Sequence, residues 1–258
     1  MEIDSFLWVC ASIFVYMTVG FIISVLRKRN DIADILWGIG FIVAMLVATL
    51  LQDVFTTRML LLGILVSLWG IRLAIHIGTR NKGKKEDFRY AQWRKDWGKW
   101  FLLRSYAQVF LLQGLLLVVV VSPVILNAMY DAAWKWSWLD SLGLVIWMIG
   151  FFFEAVGDYQ LRSFLATNKK AGTIMQSGLW RYTRHPNYFG EVTLWWGIGI
   201  IAFSGTGMVL SFVGPVVISY LILFVSGVPL LEKKYAGNAA FEAYKKKTSV
   251  FFPLPPKK

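Results

Sequence analysis

The sequence holds a single cysteine, Cys10, and only two histidines, His76 and His185. One cysteine rules out an intrachain disulfide. A zinc or iron–sulfur site is disfavoured as well, because these three soft ligands lie far apart in the sequence. No Gly-x-Gly-x-x-Gly motif follows a strand pattern, so any bound dinucleotide is held in a different way from the Rossmann fold. The chemistry must come from an organic cofactor or from side chains alone.

Charge is scarce too: charged residues make up 16% of the 258 positions, hydrophobic residues make up 57%, and the mean hydropathy is +0.57. A helix needs about 20 mostly apolar residues to cross a bilayer. The pattern predicts an all-α membrane protein with seven transmembrane helices, at 5–26, 35–52, 59–78, 102–128, 139–165, 189–206 and 209–230. We interpret 5–26 as a retained first helix, because it lacks the basic start of a signal peptide and is followed by Arg27, Lys28 and Arg29.

Acidic residues are few, which leaves a net charge of +12. Of the 27 basic residues, 24 lie in four segments, at 27–29, 80–104, 162–184 and 233–258. Because Lys and Arg concentrate in cytoplasmic loops, we expect the N-terminus outside and the C-terminus in the cytoplasm, in a bacterial inner membrane or an endoplasmic reticulum type of membrane. This sidedness and anionic headgroups explain the positive charge, so we expect no nucleic-acid partner. The basic and aromatic stretch 79–101 predicts a helix at the membrane interface.

Several charged residues fall inside the predicted spans. Glu154, Asp158 and Arg162 recur every four residues on the fifth span, and Arg72 and His76 lie one turn apart on the third. Such residues are unfavourable in lipid by about 3 kcal/mol each unless they are paired or face water. They predict one polar cavity that opens to the cytoplasm. Alternatively, they pair with one another and only fix the helix register.

Residues 177–191 read Ser-Gly-Leu-Trp-Arg-Tyr-Thr-Arg-His-Pro-Asn-Tyr-Phe-Gly-Glu and run directly into an apolar stretch that begins at Val192. A basic and aromatic cluster at a membrane surface is unfavourable unless it binds something. We therefore expect a binding site at this junction. His185 followed by Pro186 is also typical of a turn before a helix, with proline at the first helical position.

This string, together with residues 231–254, resembles the C-terminal region of the membrane steroid 5-alpha-reductase family. The resemblance covers about residues 140–254 and includes Gly-Asp-Tyr-Gln-Leu-Arg at 157–162, Asn-Tyr-Phe-Gly-Glu at 187–191 and Lys-Lys-Tyr at 233–235. A weaker resemblance reaches 69–76 and the acidic residue Asp34. The shorter string Arg-His-Pro-Asn-Tyr is also shared with membrane prenylcysteine and phospholipid methyltransferases.

The resemblance implies NADPH-dependent reduction of the carbon–carbon double bond of a lipophilic enone, such as a 3-oxo-delta-4 steroid. Cations suit the phosphates of NADPH, and the resemblance assigns Asn187 and Glu191 to the carboxamide end. The predicted phosphate-binding cations are Arg162, Lys169, Lys170, Arg181 and Arg184. The predicted cofactor-binding set is Arg72, His76, Asn81, Asp158, Arg162, Arg181, Arg184, His185, Asn187, Tyr188, Glu191, Trp195, Glu232 and Tyr235.

The resemblance also implies that a carboxylic acid and a tyrosine polarise the substrate carbonyl, where hydride addition develops negative charge. Asp34 matches the acid, whereas Trp69 stands at the tyrosine position. An indole N–H donates a hydrogen bond but does not give up a proton. Asp34 and Trp69 are therefore the predicted catalytic residues, and Asp34 must be largely protonated at neutral pH. Alternatively, Asp34 is the N-cap of the second span.

These inferences predict a single transmembrane domain over 1–258. Its N-terminal spans, 1–138, form a chamber for a lipophilic substrate that enters from the bilayer, and residues 139–258 bind the cofactor. Membrane lipids are the other expected partners, and the sequence does not predict an oligomeric state. Two other functions stay open: a methyltransferase that uses S-adenosylmethionine, and a transporter or lipid scaffold without enzyme activity.

Overall fold

The computed structural model describes residues 2–52, 55–131, 135–168 and 172–257, with side chains from Asp4 onward. Within these residues the chain forms α-helices and no β-strand. The helices are α1 (Glu2–Arg27), α2 (Ile32–Leu50), α3 (Thr57–Asn81), α4 (Phe88–Trp97), α5 (Phe101–Arg104), α6 (Leu112–Val120), α7 (Ser122–Tyr130), α8 (Trp138–Thr167), α9 (Pro186–Thr206), α10 (Val213–Tyr220), α11 (Val228–Lys234) and α12 (Ala239–Lys247). π-helical turns at Ser105–Leu111 and Leu221–Val225 join neighbouring helices.

Among the residues that the structure describes, six helical segments are long and apolar enough to cross a membrane. The chain is a multi-pass membrane protein. The six segments are Asp4–Arg27, Ile32–Leu50, Thr57–Asn81, Phe88–Val120, Trp138–Thr167 and Val209–Lys234. The span predicted at 189–206 falls in α9, which has 21 residues. Helix α9 is less apolar than the six segments because it contains Glu191, four glycines and two tryptophans. The predicted number of seven transmembrane helices is therefore not confirmed.

The predicted fourth span, 102–128, differs from the observed helices at both ends. Helix α6 ends at Val120, and α7 starts at Ser122 with Pro123 in its first turn. Proline has no N–H to extend the preceding helix, which explains the break. The helix expected within 79–101 is present as α4, but the apolar segment that contains it continues to Val120.

The chain divides into two compact units. The first comprises Met1–Trp136 and Ile201–Gly214, and the second comprises Ser137–Ile200 and Pro215–Lys258. In the first unit, α2 and α3 approach closely where Gly38 faces Gly70. A Cβ atom on Gly70 would lie 2.5 Å from the carbonyl oxygen of Gly38, so the two backbones are in direct contact.

In the second unit, α8 and α9 pack through a seam of glycines, here called the glycine seam. A Cβ atom on Gly190 would lie 2.3 Å from the backbone nitrogen of Glu154, and one on Gly150 would lie 2.4 Å from that of Leu194. Small residues allow such close backbone contact between membrane helices. The seam repeats every seven residues and consists of Gly143, Gly150 and Gly157 on α8 and Gly190 and Gly197 on α9.

We predict that Gly190→Ala destabilises the protein by about 1–3 kcal/mol, because the added methyl group overlaps a backbone that cannot move independently. The matched control is Gly63→Ala, where the new Cβ would meet only the flexible Met45 Sδ at 3.4 Å. Thermal unfolding in detergent compares the two. Equal melting temperatures for the two variants would show that the seam is not as tight as described.

Candidate functional site

Asp34 lies in the first turn of α2 and accepts two hydrogen bonds from α4. The donors are Tyr90 Oη, at 2.6 Å, and Arg89 Nη2, at 2.9 Å. The N-cap of α2 is Asp31, so the interpretation of Asp34 as the N-cap was wrong. The carboxylate of Asp34 is instead one part of a cluster with Arg89 and Tyr90.

The start of α4 positions both donors. Asp87 caps this helix: its Oδ1 accepts from the backbone N–H of Arg89 at 3.0 Å and from Arg89 Nε at 2.9 Å. Desolvation acts to raise the pKa of Asp87, but the hydrogen bonds from Arg89 outweigh it and lower that pKa below its usual range. Arg89 is thus held between the two carboxylates of Asp87 and Asp34. Gln113 on α6 also interacts with the Tyr90 hydroxyl.

The sequence analysis did not identify Tyr90 as a site residue. It is 56 positions from Asp34 and sits in a stretch whose aromatic residues predict only an interfacial helix. The structure places its ring in the interior, 2% exposed. The resemblance implies a tyrosine beside the acid at the position that Trp69 occupies on α3; the tyrosine that contacts Asp34 in this chain comes from α4.

The other predicted residues of the first unit lie along α3. Trp69 is fully buried and stands edge-on to Phe41, with ring centroids 5.1 Å apart. Arg72 and His76 are half-buried and one turn apart. Asn81 ends the helix, and its amide nitrogen lies 3.4 Å from Asp31 Oδ2.

In the second unit, the glycine seam brings Asp158 to the start of α9. Asn187 Nδ2 donates to Asp158 Oδ1 at 3.1 Å, and a Cβ atom on Gly157 would lie 3.2 Å from the backbone nitrogen of Asn187. Asn187 Oδ1 and His185 Nδ1 are buried and have no hydrogen-bond partner among the residues described. Buried polar atoms are nearly always paired in proteins. These two atoms therefore mark a position where a ligand can bind.

Helix α9 begins at Pro186, which confirms the turn predicted at His185. The Tyr188 ring stacks on the His185 ring, with centroids 5.6 Å apart and planes 17° apart. Glu191 is half-buried one turn after Asn187, and Trp195 is fully buried one turn further on. The predicted residues of α9 thus follow one another along the first half of the helix, from the half-buried Asn187 and Glu191 to the fully buried Trp195.

Arg184, predicted to bind phosphate, uses its guanidinium group inside the protein. Nε and Nη2 contact Glu232 Oε1 at 2.9 and 2.8 Å. Nη1 donates to the carbonyl oxygens of Thr248, at 2.7 Å, and Lys245, at 3.3 Å. Glu232, a member of the predicted cofactor-binding set, is held by this arginine and lies 3.4 Å from His185 Nε2. Arg184 and Glu232 therefore connect the 177–191 string to the C-terminal part of the chain.

Further bonds hold the C-terminal segment, residues 248–257, against the same string. The backbone of Arg184 donates to Ser249 O at 2.9 Å, and Leu254 N donates to Tyr182 O at 3.0 Å. The Tyr244 hydroxyl donates to the Trp180 carbonyl oxygen. Burial raises the pKa of Tyr244, which keeps this phenol protonated as a donor. The string is thus fixed by contacts that no local sequence pattern predicts.

Two of the predicted phosphate-binding cations remain available to a ligand. Arg162 and Arg181 are exposed, and within the described part of the chain neither makes an ion pair. Lys169 and Lys170 lie outside the described residues. Tyr235 is half-buried and packs against Phe241, with ring centroids 5.4 Å apart. The second unit therefore offers the Asn187–Asp158 pair, which is partly buried, and two exposed guanidinium groups.

Residues 20–248 match the family described as "Protein of unknown function (DUF1295)". The chain belongs to this family. It is 24% identical to an uncharacterized protein of Schizosaccharomyces pombe over 262 residues, which cover 90% of this chain and 74% of that protein. No solved structure matches the chain.

Other relatives of the chain carry enzyme names. The chain is 28% identical to the 15-cis-zeta-carotene isomerase of Arabidopsis thaliana over 153 residues, 54% of this chain and 39% of that protein. It is 28% identical to 3-oxo-5-alpha-steroid 4-dehydrogenase 1 of Mus musculus over 84 residues, 33% of each protein. The chain thus matches well under half the length of either enzyme. The predicted resemblance to a steroid 5-alpha-reductase-like family is confirmed.

We predict that Arg184→Ala lowers stability by about 2 kcal/mol or more with or without ligand, because it leaves Glu232 and two carbonyl groups without their donor. Arg181→Ala removes the same charge from an exposed position and should change stability by less than about 0.5 kcal/mol. Thermal unfolding of both variants in detergent gives the comparison. Similar melting temperatures would mean that Arg184 does not hold the C-terminal segment.

Proposed function

We propose that this chain is an NADPH-dependent membrane reductase that reduces the carbon–carbon double bond of a lipophilic enone, such as a 3-oxo-delta-4 steroid. The observation that carries the proposal is the hydrogen bond from half-buried Asn187 to buried Asp158, together with the buried, unpartnered Asn187 Oδ1. An amide oxygen fixed in this way can accept a hydrogen bond from the carboxamide N–H2 of nicotinamide. The name of the mouse relative, 3-oxo-5-alpha-steroid 4-dehydrogenase 1, supports the same reaction class.

The residues of the second unit fit the parts of the cofactor. The exposed Arg162 and Arg181 suit phosphates, because a guanidinium group forms bidentate hydrogen bonds with phosphate oxygens. Asp158 orients Asn187, and Arg184 with Glu232 holds the string in place. When bound, NADPH supplies the hydride that adds to the beta carbon of the enone.

We assign the carbonyl-polarising role to Tyr90 assisted by Asp34, and not to Trp69. In the structure the Tyr90 phenol donates to Asp34 Oδ1 at 2.6 Å. With substrate bound, Asp34 would take up a proton and donate to Tyr90 Oη, and the phenol hydrogen would then point to the substrate carbonyl. A donor placed where negative charge develops lowers the barrier. A phenol can also give up its proton, whereas an indole cannot.

The proposal includes the arrangement in the membrane. In this arrangement α9 is a seventh span, the N-terminus is external and the C-terminus is cytoplasmic. The concentration of 24 of the 27 basic residues in four segments supports it. The cofactor is then taken from the cytoplasm and the substrate from the bilayer.

A second candidate function is isomerisation of a double bond in a lipophilic polyene. It is favoured by the match to 15-cis-zeta-carotene isomerase, which extends over 54% of this chain. The two functions differ in their products: reduction adds two hydrogen atoms to the substrate, whereas isomerisation leaves its mass unchanged. Mass spectrometry of the product separates them.

Cofactor choice is tested by thermal shift on the full chain in detergent, because a ligand that binds only the native state raises its apparent stability. We expect NADPH to raise the melting temperature, and Arg181→Ala or Arg162→Ala to reduce that rise without changing the melting temperature of the free protein. Arg104→Ala, at an exposed cation of the first unit, is the control. Stabilisation by S-adenosylmethionine alone would support the methyltransferase instead.

We predict that Tyr90→Phe lowers kcat by about 10²–10³-fold, the effect of removing one donor from a developing oxyanion, with unchanged NADPH affinity. Asp34→Asn should also abolish turnover while NADPH still binds. Tyr106→Phe is the control, because the Tyr106 hydroxyl bonds Thr18 Oγ1, at 3.0 Å, and not Asp34. Full activity of Tyr90→Phe would show that another residue donates the hydrogen bond to the substrate carbonyl.

A further inference from the structure

A cavity of about 300 Å³ opens in the first unit where α1 ends, α2 begins and α3 ends. Its polar side carries Arg27, Arg29 and Lys82, with Asp31 as the carboxylate among its lining residues. Room for about ten water molecules is enough for a phosphate with a glycerol attached. The cavity lies at the ends of three helices, each of which is long and apolar enough to cross a membrane.

The charges in this cavity favour an anion. Arg29 holds Asp31 with two bonds, Nε to Oδ1 at 3.0 Å and Nη2 to Oδ2 at 2.6 Å, which neutralises the carboxylate. Arg27 and Lys82 are exposed, and within the residues that the structure describes neither forms an ion pair. Two cations thus remain for a ligand that carries a phosphate.

The opposite side of the cavity is apolar. Ile32 and Ile35 of α2 and Gly78 of α3 line it, and a Cβ atom on Gly78 would lie 4.0 Å from Ile35 Cδ1. Because Gly78 has no side chain, the space beside Ile35 stays open. A ligand in this cavity therefore meets cations at one side and aliphatic carbon at the other.

The apolar side continues along both helices towards the hydrocarbon. Ile39 follows Ile35 by one turn on α2, and Ile75 and Ile71 precede Gly78 by about one and two turns on α3. These three side chains are 38%, 59% and 51% exposed. They form an aliphatic strip that begins at the cavity and follows the direction of an acyl chain.

We propose that this cavity binds an anionic glycerophospholipid, with its phosphate between Arg27 and Lys82 and an acyl chain along Ile39 and Ile75. A free phosphate in solution would contact the cations but not the aliphatic strip. The same holds for a phosphate group of NADPH. The proposal does not depend on the reaction that the chain catalyses.

The test uses the full chain in a neutral detergent with dioleoyl phosphatidylglycerol as the probe. Native mass spectrometry and the melting temperature are measured against dioleoyl phosphatidylcholine, which has the same acyl chains. We expect the chain to retain phosphatidylglycerol in the mass spectrum. We also expect phosphatidylglycerol, and not phosphatidylcholine, to raise the melting temperature. The double variant Arg27→Gln and Lys82→Gln should weaken this binding by roughly tenfold or more.

Two further variants make the test specific. Lys99→Gln with Arg104→Gln removes the same charge from exposed positions that do not line the cavity, and should bind phosphatidylglycerol like the unmodified chain. Gly78→Leu fills the cavity without changing charge, and should weaken binding.

Equal binding of the two lipids, or equal effects of the two double variants, would overturn the proposal. If inorganic phosphate or NADPH raises the melting temperature, the lipid does not, and the rise is lost in the Arg27→Gln and Lys82→Gln double variant, the ligand is a soluble phosphate instead.

Discussion

The glycine seam between α8 and α9 is the constraint on which the candidate cofactor site depends. With backbones this close, residues at the same level of the two helices meet directly, and Asp158 reaches Asn187 at 3.1 Å. A side chain at Gly157 or Gly190 would separate the helices and open this pair. In lipid, where apolar burial contributes little to helix association, such close backbone packing is a main source of stability between helices.

Charge in the second unit is divided between two tasks according to burial. Arg184 is enclosed by the protein and joins Glu232 to the carbonyl groups of the C-terminal segment. Arg162 and Arg181 face the exterior, where a ligand's phosphates can reach them. A guanidinium group serves both tasks because it presents several N–H groups in a fixed plane. Which task an arginine performs is decided by the contacts around it and not by its place in a motif.

The sequence predicted what depends on local pattern. Apolar runs located six membrane-crossing segments, and His185-Pro186 marked the start of α9. The partner of Asp34 depends instead on how α4 packs against α2, and no spacing in the sequence encodes that contact. For the same reason the C-terminal contacts of Arg184 were not foreseen. The heptad spacing of the glycines on α8 and α9 was a readable signal of close helix packing, and the sequence analysis did not use it.

The most direct test of the reductase account follows the hydride itself. The purified chain is supplied with NADPH that carries deuterium at C4 of the nicotinamide, together with a 3-oxo-delta-4 steroid, and the product is analysed by mass spectrometry and NMR. The account predicts a saturated product with deuterium at the beta carbon. An isomerised product without deuterium, from a chain that binds and turns over its substrate, would contradict it.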